Sequence, residues 1–289
     1  MSHQPRSVQR VIASQATSDG AGVKLRRSVG ASGFARLDPF LMLDEFFSDD
    51  PDDYLAGFPD HPHRGFETVT YMLDGRMQHR DHLGNTGDLG PGSVQWMTAG
   101  RGVIHSEMPQ QSEGRMRGFQ LWINLPAAEK MRPAEYRDIP ADAVPELEFG
   151  GGRARVIAGR LHLDGSEQGG VVNAQGGEMA TDPLFADLHL APGAEVEVAI
   201  SAGYNSLVYV YEGEVSAAGQ AVPRRAAAVL GDGDSAHLTA GAEGGRLLLL
   251  AGRPLNEPVV QYGPFVMNTR EQIEQAMADY RSGRLTDAA

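Results

Sequence analysis

The chain has 289 residues, no cysteine and a formal net charge of −13. Its length suits two ordinary domains or one large all-β domain, and 41% hydrophobic with 22% charged residues is the make-up of a globular protein. An acidic surface repels phosphate backbones and argues against direct nucleic-acid binding, while the lack of cysteine excludes disulfides, thiolate metal ligands and cysteine nucleophiles.

The first residues, MSHQPRSVQRVIASQ, hold no apolar run of signal-peptide length. No later stretch approaches the roughly 18 apolar residues of a membrane span, so the expected location is the cytoplasm. From there the chain reads as short β-rich runs punctuated by glycine and proline. They are FLMLDEFF (40–47), FETVTYML (66–73), SVQWMT (93–98), FQLWINL (119–125), RARVIAG (153–159), ADLHLAPG (186–193), SLVYVYEG (206–213) and RLLLLAG (246–252). Such a pattern predicts a barrel or sandwich. One helix is expected, at the end. In NTREQIEQAMADYRSG, Thr269 and Gln272 form a capping box, Ile273, Ala276, Met277 and Tyr280 make an apolar stripe, and Gly283 is the stop.

An internal repeat organises these runs. TYMLDGRM (70–77) aligns with VYVYEGEV (208–215), and LGPGSVQWMTAG (89–100) aligns with LGDGDSAHLTAG (230–241) at six of twelve positions. Two copies of one β-barrel follow, with a boundary expected in the Pro-, Gly- and charge-rich stretch 132–152. The expected domains are therefore residues 1–135 and 136–289, the second including the helix.

The chemistry concentrates in the first copy. Residues i and i+2 of a strand share a face, roughly 6.5–7 Å apart. His61 and His63 in FPDHPHRGFETV can thus converge on one ion, and His105 and Glu107 in GVIHSEMP repeat the spacing. If the segments pair across the barrel, three imidazoles and a carboxylate meet, a mixed N/O set suited to a divalent transition metal with open positions. The bland alternative has His105 capping a turn and His61 bonding a carbonyl. His79 and His82, in QHRDHLG, read as part of a solvated hairpin. His3, His162, His189 and His237 have no nearby partner and are not candidate ligands. In GFQLWINL, one alternating set faces the core and the other can line a pocket; Phe66, Met97, Phe119, Gln120 and Trp122 are the lining candidates.

The run FPDHPHRGFETVTYMLDG, continued by GPGSVQWMTAGRGVIHSEMP, QLWINLP and EPVVQYGPFVMNT, resembles the pirin family of the cupin superfamily over nearly the whole chain. The resemblance implies an all-β bicupin with an iron-type metal in the N-terminal barrel, on His61, His63, His105 and Glu107. It implies oxidation of a flavonol such as quercetin by O2 with release of carbon monoxide, Glu107 serving as general base. The alternative is a non-enzymatic, iron-dependent redox regulator that engages a protein partner, since a eukaryotic member of the family is described as an iron-dependent transcriptional co-regulator. The general cupin pattern would make Glu67 a ligand, and its strand parity from His63 points it inward. The pirin pattern favours Glu107 and leaves Glu67 to orient a histidine. Counted along the repeat without gaps, Ala199, Ser201, Arg246 and Leu248 replace the four ligands in the second copy, which is expected to bind no metal.

Overall fold

The computed structural model describes residues 4–287, which form antiparallel strands, a few short 3-10 turns and one α-helix, Arg270–Arg281. The chain divides into two compact units, and the division is not the linear one at residue 135. One unit takes the chain up to Gln15, Ser28–Pro39 and Ala143–Pro254; the other takes Ala16–Arg27, Phe40–Asp142 and everything from Leu255 onward. The two ends are exchanged. The strand Val8–Ala13 pairs with Ala226–Leu230 of the later unit, the one built on Ala143–Pro254, while the helix expected in the second domain belongs to the unit built on Phe40–Asp142. Ala226–Leu230 is buried at all five positions, and an uncovered edge of that kind would present unpaired amides. The stretch 132–152 is not a free linker. It supplies Glu135–Ile139, which pairs with Val94–Thr98, and Glu146–Phe149, which pairs with Gly152–Ala158.

The unit that carries the candidate ligands has two sheets. The smaller runs in the order Phe58–His63, Val103–Pro109, Met77–Asp81, Thr86–Leu89. The larger has Glu135–Ile139, Val94–Thr98, Phe66–Asp74, Met116–Asn124, Phe40–Ser48, Val23–Arg27 and Gln15–Asp19 as neighbours in that order. Apolar side chains from both sheets interdigitate at one end, where Met77 and Leu89 meet Met72, Met116 and Phe46. The candidate ligands His61, His63, His105 and Glu107 lie outside that apolar cluster.

The later unit repeats the plan with an apolar filling. Its barrel interior is a continuous cluster that includes Val196, Val198, Ile200, Ala236, Leu238, Leu247 and Leu249. Strand pairing corrects the ungapped repeat. In the metal-site unit, Val103–Pro109 lies between Phe58–His63 and Met77–Asp81. The strand segment in that position of the later unit is the start of Ser235–Gly252, between Glu195–Ala199 and residues 215–217. Following that register, His61, His63, His105 and Glu107 correspond to Val198, Ile200, Ala236 and Leu238, not to Ala199, Ser201, Arg246 and Leu248. The alignment of 89–100 with 230–241 had slid by one strand, because a Leu-Gly turn leading into a strand occurs at successive hairpins. None of the four true counterparts offers a ligand atom.

The helix forms as its sequence requires. The Thr269 hydroxyl accepts from the Gln272 amide while the Gln272 side chain accepts from the Thr269 amide, so both halves of the capping box are made. Ile273 and Ala276 are buried, Tyr280 is exposed, and Gly283 adopts a left-handed φ of +71°.

Candidate metal centre

Phe58–His63 and Val103–Pro109 run antiparallel with His105 directly opposite His61 and Val103 opposite His63. The register shifts between His105 and Glu107, a bulge of the kind that re-aims side chains beside functional sites. The three imidazoles converge, with ring centroids 4.7 Å apart for His61–His63, 4.4 Å for His61–His105 and 4.8 Å for His63–His105. One nitrogen from each lies within 4.8 Å of the others.

Their protonation suits a cation. Burial, then the neighbouring histidines, holds His63 and His105 well below the ordinary imidazole range, so both are neutral at pH 7. His61 Nδ1 donates to the Pro59 carbonyl at 2.8 Å, which leaves the Nε2 lone pair free. His105 Nδ1 lies 2.8 Å from His79 Nε2; with the hydrogen on His105, its Nε2 keeps a lone pair. That His105 Nε2, and His63 Nδ1, are buried without a hydrogen-bond partner. Convergent, uncharged, unsatisfied nitrogens are costly to bury. A divalent transition ion would satisfy them, so these residues fit the metal that the resemblance implies.

His79 is the residue that the sequence reading missed. It is 1% exposed, not on a solvated hairpin, and its ring stacks at 5.0 Å on Tyr136 as well as bonding His105. Burial depresses its pKa, against the pull of Glu107, Asp138 and Asp81. The available signal was local: Met77, His79 and Asp81 alternate as the buried face of MQHRD. His82, by contrast, is exposed. The other histidines do find partners, though none joins the cluster: His162 faces Glu167, His189 faces Asp187 and Tyr211, and His237 faces Glu197. His3 lies outside the described residues.

Glu107 is 2% exposed. Its Oε1 lies 2.9 Å from the Thr70 hydroxyl and its Oε2 accepts from Gln120 Nε2 at 3.2 Å. The Thr70 hydroxyl is also 2.7 Å from Gln120 Oε1 and has only one hydrogen for the two acceptors. The three-histidine cluster does not include Glu107.

Glu67 departs from the inward parity. On Phe66–Asp74, Thr70 faces Glu107, so the odd-numbered Glu67 projects from the opposite face of the sheet. There it accepts from the Thr98 hydroxyl at 2.7 Å. The cause is Gly65, whose φ of +93° breaks the strand after His63 and resets the alternation. On the metal side stand Phe66 and Trp122, 5.1 and 5.3 Å from the His63 ring and 4.3 Å from each other. Gln120 lies on that side too, as does Met97, paired with Thr68. Phe119 is on the other face, fully buried.

Known proteins resemble this chain over nearly its whole length. The family described as "Pirin" matches residues 22–123 and "Pirin C-terminal cupin domain" matches residues 185–286. A Pseudomonas aeruginosa protein named "Putative quercetin 2,3-dioxygenase" is 53% identical over 97% of this chain and 98% of its own. Human "Pirin" is 41% identical over 96% and 93%. A solved structure of quercetin 2,3-dioxygenase from Acinetobacter baumannii superposes with a TM-score of 0.85 at 32% identity, covering 98% of this chain and 99% of that one. The fold is accordingly an all-β bicupin. No described helix is long and apolar enough to cross a membrane.

Proposed function

This chain belongs to the pirin family, and on that premise we propose that it is an iron-dependent dioxygenase opening a flavonol such as quercetin with release of carbon monoxide. The observation that carries the reading is the cluster of His61, His63 and His105, convergent beside an aromatic wall, with His63 and His105 held neutral by burial. The likeness to a quercetin dioxygenase in both sequence and fold supports it.

His61, His63 and His105 would hold a divalent ion, which would supply the Lewis acidity that lowers the pKa of a flavonol 3-hydroxyl next to the 4-carbonyl. Glu107, assigned also as the fourth ligand, accepts that proton. Thr70 and Gln120 hold its carboxylate in place. Trp122, beside the His63 ring and backed by the buried Phe66, offers flat apolar surface against which a flavonol ring system can lie. The deprotonated substrate is electron-rich and reacts with O2. Both oxygen atoms stay in the ring-opened ester, the carbon that bore the hydroxyl leaves as carbon monoxide, and Glu107 returns the proton to the product.

The test is metal analysis with O2 uptake. The expected outcome is about one metal per chain, lost in His105→Ala, and O2 consumption with quercetin that falls by roughly 10²-fold or more in Glu107→Gln. Iron-loaded wild-type protein that consumes no O2 with any flavonol would sink the enzyme reading and favour a redox-responsive regulator.

A further inference from the structure

The turn that follows His63 is gripped from several sides. The Arg64 amide donates to the Pro264 carbonyl at 3.3 Å, and the Val266 amide donates to the Arg64 carbonyl at 3.0 Å. The Gly65 amide donates to Gly100 O at 2.8 Å. A Cβ at Gly65 would stand 2.0 Å from Val266 O, so the close approach requires glycine.

Side chains complete the grip. Arg64 is 4% exposed. Its Nε donates to the Arg101 carbonyl. Its Nη1 meets Asp279 Oδ2 at 2.8 Å, 215 positions along the chain, and its Nη2 donates to Leu285 O at 3.1 Å. Lys130 is equally buried, and its Nζ donates to Gly65 O at 2.7 Å, Asn124 Oδ1 at 2.6 Å and Val266 O at 3.1 Å. Burying a guanidinium and an ammonium around one short turn is expensive. The expense falls where geometry has to be held, between His63 and the approach to His105.

We propose that Arg64 and the segment Pro264–Leu285 form a clasp that positions His61 and His63 against His105, so that metal affinity depends on Asp279. The inference rests on the metal-binding reading above. One guanidinium joins three things: the strand ending at His63, the Arg101 carbonyl that leads into the His105 strand, and the C-terminal helix. A planar fork fixes direction as well as distance, which a lysine cannot reproduce. Ligand sets tolerate displacements of only about 0.5 Å before geometry is lost.

Nickel(II), an air-stable probe, is titrated into wild type, Arg64→Lys, Asp279→Ala, Tyr54→Phe and His105→Ala. Amide exchange of residues 61–66 is followed in the metal-free proteins. Arg64→Lys and Asp279→Ala are expected to weaken nickel binding by about 10-fold or more and to speed exchange in the turn. Tyr54→Phe removes a 2.7 Å hydrogen bond to Gly114 O in the same unit. It is expected to lower the thermal midpoint while leaving nickel affinity unchanged. Unchanged affinity in Arg64→Lys and Asp279→Ala overturns the clasp, as does a loss that merely tracks the thermal midpoint across all three. If wild type binds no nickel, or His105→Ala binds it as well, the metal reading fails instead. The exchange rates of the metal-free proteins then decide the clasp: faster exchange supports it and unchanged exchange overturns it.

Discussion

Replacing Glu67 with glutamine should stabilise this protein, and only above a defined pH. Glu67 is 1% exposed. Burial raises its carboxyl from an ordinary 4.5 to about 7, with the Thr98 hydroxyl pulling the other way. Between those two values the folded chain holds a proton that the unfolded chain has lost. Stability therefore falls as pH rises through the window and stays reduced above it. The gap corresponds to about 3 kcal/mol at pH 8. Glutamine carries no charge to desolvate and retains an acceptor for Thr98. Glu67→Gln should match wild type near pH 4.5 and exceed it by up to about 3 kcal/mol at pH 8. The assay is urea unfolding of chelator-treated protein at pH 5, 6, 7 and 8, followed by tryptophan fluorescence. Both tryptophans, Trp96 and Trp122, lie in the metal-site unit, so the signal reports the unit concerned. A difference independent of pH would refute the burial argument. Loss of metal in the variant would refute the placement of Glu67 on the far face of the sheet.

Two further outcomes follow from the same geometry. His79→Leu should weaken metal binding by about 10- to 100-fold, because His105 loses the partner that fixes its tautomer; His79→Gln, which can still accept that hydrogen, should recover part of it in a metal titration. Leu238→Ala, at the counterpart of Glu107 in the later unit, should cost about 2–5 kcal/mol in denaturant unfolding yet leave metal content per chain unchanged.

What the sequence determined by itself was local. Spacing of two along an unbroken strand put His61 with His63 on one face, and the helix with its Thr269–Gln272 cap was legible because both partners of that cap lie within one turn. The β-rich runs between turn residues were enough for the all-β class, and their repetition for two barrels. What lay across a chain reversal was not legible. Parity failed at Glu67 because a left-handed Gly65 intervenes. His79 looked solvated because the strand that buries it, and the His105 it bonds, come later in the chain. The ungapped repeat slid by a strand because similar hairpins look alike until their hydrogen-bonded neighbours are known. The exchange of chain ends between the units and the anchoring of Arg64 on Asp279 belong to the same class. Periodicity carries side-chain direction within one element, while partners far along the chain are chosen by edge coverage and the burial of charge, which only the assembled fold decides.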